Sequence, residues 1–196
     1  MTNLCLWFSN LTINKIHMKN PLLPFAFFII ILVNSVSLTA QEFKSLDKSP
    51  MDVAAFPSSY TISDKIVKVI YSRPQLNGRD LVKLAPPEKI WRTGANEAVE
   101  ITFYKDVIFG GKALNAGTYS LFTIPSLDGD WTVIINSAKN VWGSYYYKQD
   151  QDVIRVSGKT SKTEENIDAF SMIFDKDMTL KMGWGKTVVS VSIKKI

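Results

Sequence analysis

Histidine and cysteine each occur once in the 196 residues, as His17 and Cys5, and neither recurs further along the chain. Beyond that point a Ser-His-Asp triad, a cysteine nucleophile, a His/Cys zinc site and any disulfide are excluded. Stability there must come from an apolar core. Arginine is nearly as scarce. Arg73, Arg79, Arg92 and Arg155 are the only four among 23 basic residues. Basic and acidic residues are interspersed, so a formal net charge of +5 leaves no nucleic-acid footprint. Helical periodicity is almost absent after residue 40. The one long apolar run, Leu22 to Val33, is broken only by Pro24.

That run belongs to an address. Met18-Lys19-Asn20 supplies a basic start, the apolar run a short hydrophobic region, and Ser37-Leu38-Thr39-Ala40 a cleavage point before Gln41. Residues 1–40 therefore read as a signal peptide region, with translation expected from Met18 and export to the periplasm or the medium. The alternative is an uncleaved N-terminal anchor from Asn20 to Ala40, since about 20 residues span a bilayer. Removing 1–40 takes away Lys15 and Lys19 and no acid, which leaves 21 − 18 = +3. Residues 41–50 read as a mobile mature N-terminus and 51–196 as one domain.

The domain alternates like strands. Ile66 to Tyr71 is β-branched and aromatic, and Val99, Ile101 and Phe103 alternate with Glu100, Thr102 and Tyr104. Val107–Phe109 meets the turn Gly110-Gly111. Gly117–Ile124, Trp131–Ile135, Val153–Val156, Ile167–Phe174, Met178–Met182 and Thr187–Ile193 continue the pattern. The predicted fold is all-β: a single antiparallel β-sandwich of eight to ten strands, with barrel-like closure as the alternative. Gln41–Pro50 and Ser157–Asn166 read as linkers. The connection from Ser72 to Glu97 is too long to be structureless inside a compact domain, so it carries function or hidden short elements.

Three of the four arginines fall in or beside that connection, close to the dense polar turn Trp91-Arg92-Thr93-Gly94-Ala95-Asn96-Glu97. A forked contact to a carboxylate or phosphate needs a guanidinium. Arg73 and Arg92 are therefore candidate ligand contacts, or else ties from a long loop to backbone carbonyls. Asn96 can orient a ligand or cap its own turn. Glu97 is the candidate general base if the protein is an enzyme, or an ion-pair partner of Arg92; no other catalytic residue is assigned. A two-carboxylate glycosidase would need a second acid, for which Glu88, Glu100 and Asp106 are available. Trp91 and Trp142 are candidate apolar walls, against core or rim packing. Were the triplet Tyr145-Tyr146-Tyr147 a strand, Tyr145 and Tyr147 would share one face and Tyr146 the other. Apparent phosphate-loop matches at 183–187 and 157–160 lack the required first glycine, and the S-x-x-K spacing at Ser45 lacks its companion motifs. No metal set and no cofactor are expected.

Ser72-Arg73-Pro74, Trp91 through Glu97, Ala116 through Pro125, Trp131 with Asn136, and Asn140-Val141-Trp142-Gly143 together resemble a family of secreted bacterial proteins grouped as domain of unknown function 2911. The match spans nearly all of residues 49–196. The chain departs at Leu84 to Trp91, where members often read G-L-V-P-Y-G-K-[IV]-W, so the loop entering the motif is expected to sit differently. The resemblance implies an exported, mainly β domain and supplies no reaction, cofactor or site. The leading expectation is a non-enzymatic binding or interaction module of the cell envelope. Its partner would be a small molecule, a glycan or an envelope protein, with no nucleic acid and no membrane contact beyond an uncleaved anchor. A carboxylate-dependent hydrolase or lyase acting on an envelope polysaccharide, and a purely structural envelope component, are the alternatives.

Overall fold

The computed structural model describes residues 43–196, so the signal peptide region lies outside the described residues. Residues 43–50 form neither strand nor helix. Among the described residues no helix is long and apolar enough to cross a membrane. Ten strands follow: β1 (Met51–Phe56), β2 (Val67–Ser72), β3 (Val99–Phe103), β4 (Val107–Phe109), β5 (Lys112–Leu114), β6 (Gly117–Ile124), β7 (Trp131–Asn136), β8 (Asp152–Phe174), β9 (Leu180–Val191) and β10 (Ile193–Lys195). A single helical turn, α1 (Leu81–Leu84), is the only α-helix among them.

Seven strands pair in the order β1-β2-β3-β6-β7-β8-β9, and β10-β4-β5 make a smaller sheet. Every pairing is antiparallel, as expected where short turns join consecutive strands. The large sheet curls on itself. The first part of β8 pairs with β7, the remainder with β9, and its end returns to the chain just past β2 through a bridge between Gln75 and Ala169. Phe170 N–H donates to Pro74 O (2.9 Å) and Leu76 N–H to Asp168 O (2.9 Å) at the same seam. Val99, Ile101, Leu121, Val133, Ile135 and Ile154 line the inner face, and Val107, Phe109, Leu114 and Ile193 of the small sheet enter the same core. The result is the all-β architecture predicted, a half-barrel closed by a second small sheet.

Two local readings are corrected. Ser157–Asn166 is not a linker: β8 runs through it, and its polar Lys, Thr and Glu side chains lie mostly exposed. A hairpin arm with water on its sides has no apolar alternation to reveal it. Irregular pairing at Lys162–Ile167 and Ile167–Ser171 bends the strand. Gly183 serves this bend, since a Cβ there would meet Ile167 Cδ1 at 2.7 Å. β1 is the strand that alternation did not disclose. It holds no fully buried residue, and only its register against β2, from Met51↔Ser72 to Phe56↔Val67, defines it.

Candidate functional site

The connection between β2 and β3 is stitched to the sheet along its length, which resolves how so long a segment stays ordered. Arg79 turns back on its own chain, donating to Leu76 O (2.9 Å) and Gln75 O (2.6 Å). Trp91 and Thr123 exchange backbone bonds of 2.7 and 3.0 Å. Glu97 bridges Trp142, while Ala98 N–H reaches Val141 O (2.8 Å) and Gly143 N–H reaches Asn96 O (3.0 Å). The polar turn and the Trp142 turn, more than forty positions apart in sequence, are thus one unit.

The six candidate residues divide. Trp91 points inward and is 6 % exposed. It stacks on Trp184 (5.3 Å between centroids, 11° between planes) and meets Phe170 and Trp131 edge-on. Arg73 spends its guanidinium on the seam, donating to Phe170 O (3.0 Å), Asp52 Oδ2 (3.1 Å) and Ser171 Oγ (2.8 Å). These two residues hold the fold together. The other four gather. Arg92 Nη1 donates to Asn96 O at 3.1 Å, and Asn96 sits at φ 59°, a left-handed turn position that asparagine tolerates. Gly143, at φ 66°, passes close beneath Arg92: a Cβ there would lie 3.2 Å from Nη1 and 2.9 Å from the Tyr145 ring. No ion pair joins Arg92 to Glu97 among the described residues. Glu97 is exposed and lines a concavity of about 220 Å3 with Glu100, Ser120, Asn140, Tyr71 and Met51.

Glu100, Ser120 and Asn140 complete the site around Glu97. The signal for Glu100 and Ser120 was present in the alternation, which turns both away from the core. Register supplies the rest, setting Glu100 between Ile70 and Ser120. Trp142 is 52 % exposed beside them, with Tyr145 at 78 % and Tyr146 at 73 %. The tyrosine triplet is a turn and not a strand. Tyr145 and Tyr146 therefore both face solvent, and Tyr147 turns in against Phe122 (5.1 Å).

A buried polar clamp holds this turn in place. Asp152 accepts from Asn136 Nδ2 (2.8 Å), Tyr147 OH (2.7 Å) and Arg155 Nε (2.6 Å), and Arg155 Nη2 also donates to Tyr147 OH (2.6 Å). Beneath it, Phe122, Ile134 and Ala98 form a second small core with Val141, Tyr147 and Ile90 packed on it. Tyr147 was legible in the sequence only as one of three adjacent tyrosines, and Asp152 carried no signal, because its partners Asn136, Tyr147 and Arg155 converge on it only in the fold. Asn136 did carry a signal, through its spacing from Trp131.

Burial, then the hydrogen bond to the Asp152 carboxylate, pushes the Tyr147 phenol up to about 12, with Arg155 opposing. Burial also raises Tyr71 above the ordinary tyrosine value. A folded-state pKa above the unfolded one means that the fold binds the proton more tightly. The stability so gained is complete below about pH 10 and is lost as pH rises from there through 12. Phenolate absorbance should show late-ionising tyrosine, and Tyr147→Phe should remove one tyrosine's worth of it, leaving the contribution of Tyr71. A wild-type titration in which every tyrosine shares one midpoint near pH 10 would contradict the clamp.

Among the described residues no three His, Cys, Asp or Glu side chains gather as a metal set. The curled antiparallel half-barrel defines an all-β domain, with an acidic, amide-lined concavity beside exposed aromatics on its surface. A family model described as protein of unknown function (DUF2911) matches residues 49–193, and the chain belongs to that family. No curated protein and no solved structure matches it.

Proposed function

We propose that this is a non-catalytic binding module of the bacterial cell envelope that takes a glycan at the Glu97 concavity and the Trp142 turn bridged to it. The bridge between Glu97 and Trp142 carries the reading, because it places a solvent-facing carboxylate beside a half-exposed indole. Sugars present hydroxyls around apolar C–H faces. Glu97, Glu100 and Asn140 offer acceptors for the hydroxyls, and Trp142, Tyr145 and Tyr146 offer rings for the faces. Arg92 contributes by holding the Asn96 turn. The expected export signal supports the location.

An array of neutral, amino-sugar and uronic-acid oligosaccharides, followed by calorimetry on the class retained, tests this. Trp142→Ala and Glu97→Gln are each expected to weaken binding roughly tenfold, about 1.4 kcal/mol, with melting within a degree or so of wild type. Retention of no glycan, or binding that survives both substitutions, defeats the proposal. The purely structural reading would then stand.

One observation favours a second reading. Glu97 and Glu100 line the same concavity, so a carboxylate-dependent hydrolase of envelope polysaccharide would have a pair of acids to draw on. Shortened products from the retained glycan, absent with Glu97→Gln, would establish it.

A further inference from the structure

A larger cleft, about 590 Å3, shares no lining residue with the Glu97 concavity. It lies where three parts of the chain meet: the α1 segment, the β6–β7 turn and the middle of the β8–β9 hairpin. Its lining is divided by chemistry. Leu81, Val82, Ala85 and Pro87 of the first segment, with Pro125 and Leu127 of the second, make one side apolar. Val82 is 47 % and Leu127 64 % exposed, large for aliphatic side chains that border a cavity. The hairpin side carries Thr160, Lys162, Lys186 and Thr187.

The charges are segregated. Asp130 accepts from Thr160 N–H (2.8 Å) and the Ser157 hydroxyl (3.1 Å), so both of its carboxylate oxygens are already engaged by β8. Lys162 and Lys186 make no ion pair among the described residues. Lys162 Nζ is held by Thr187 Oγ1 at 3.3 Å, on a strand partner that fixes its register. Asp128 and Asp130 of the opposite turn are the acids in the lining, and the two oxygens of Asp130 are turned to β8 donors. The cleft therefore has its positive charge gathered on the hairpin side and exposed aliphatic surface on the other.

We propose that this cleft is a second ligand site and binds an anionic amphiphile, a molecule with an apolar body and one carboxylate or phosphate head. The body lies on Val82, Pro87 and Leu127, and the head lies toward Lys162 and Lys186, away from Asp128. A bare inorganic anion would leave the aliphatic surface wet, and a cationic amphiphile would place like charges together. Trp131 lines the cleft and packs edge-on to Trp91, so occupancy should alter tryptophan emission.

The full chain is titrated with decanoate, decyl phosphate, decanol, decyltrimethylammonium and inorganic phosphate, below micelle-forming concentrations, by tryptophan emission and calorimetry. Decanoate or decyl phosphate should saturate. Decanol and decyltrimethylammonium should bind at least tenfold more weakly, and inorganic phosphate alone should not saturate in that range. The double variant Lys162→Ala/Lys186→Ala, on exposed positions, and separately Leu127→Asp should each raise Kd for the bound amphiphile at least tenfold. Trp142→Ala and Glu97→Gln should leave it unchanged, which separates this site from the glycan site. Equal affinity for decanol, preference for decyltrimethylammonium, an unchanged Kd in both cleft variants, or no saturable binding of either anion overturns the proposal.

Discussion

Trp91→Ala should destabilise the domain by about 3–5 kcal/mol, the range found when a buried tryptophan is truncated. Three contacts set the expectation. The indole stacks on Trp184 at 5.3 Å and meets Phe170 at 5.3 Å and Trp131 at 6.1 Å, and each such aromatic pair adds about 0.5–1.5 kcal/mol beyond its buried area. The void left cannot collapse easily, because the four rings come from four separate segments and Trp91 is also pinned by backbone bonds to Thr123. For a domain of about 150 residues, the loss corresponds to a fall in Tm of roughly 10 °C. Thermal and urea unfolding would measure it. A shift of only a degree or two would mean that Trp91 is not part of the core, and its candidacy as a ligand wall would return.

Replacing Asp152 with alanine is the second large effect. Its side chain is 8 % exposed and that of Arg155 34 %, so the partners left behind are partly buried. Arg155, Tyr147 and Asn136 would all lose an acceptor at once. Hydrogen bonds to a charged group are worth about 1.5–3 kcal/mol, and an orphaned buried donor adds to the loss; about 3 kcal/mol is expected, with Arg155's exposure holding it below a fully buried pair. The consequence should also be local. Residues 137–151 carry Trp142 and Tyr145, and with the clamp gone trypsin should cut after Lys139 or Lys148 well before the rest of the domain. Unchanged unfolding together with unchanged cleavage would show that the clamp does not hold the turn.

The residues of the Trp91–Glu97 motif look alike on paper and take different roles in the fold. Trp91, Arg92, Asn96 and Glu97 lie within seven residues, yet Trp91 supports the core, Arg92 and Asn96 shape a turn, and Glu97 faces solvent. The same holds for Tyr145, Tyr146 and Tyr147, of which only the last turns inward. Side-chain direction in an irregular segment depends on backbone angles such as φ 59° at Asn96 and φ 66° at Gly143, and composition does not encode them. Arg73 and Arg79 show the complementary case. A guanidinium is suited both to ligand anions and to backbone carbonyls; here carbonyls take both bonds of Arg79 and one of the three of Arg73, whose others go to Asp52 and Ser171.

By itself the sequence determined that reactive histidine and cysteine chemistry is absent after residue 17, that the domain is built of antiparallel strands, and which family it resembles. Those properties are local: residue identity, a two-residue alternation of burial, and short motifs. Tertiary structure alone decided that β1 is a strand, that β8 continues through a polar arm, that Glu97 meets Glu100 and Trp142, and that a second cleft opens beside α1. Each depends on segments far apart in the chain, as when Tyr71 bonds Met172 across 101 positions. Long-range pairing of this kind is selected by the packing of the whole core, and no window of sequence contains it.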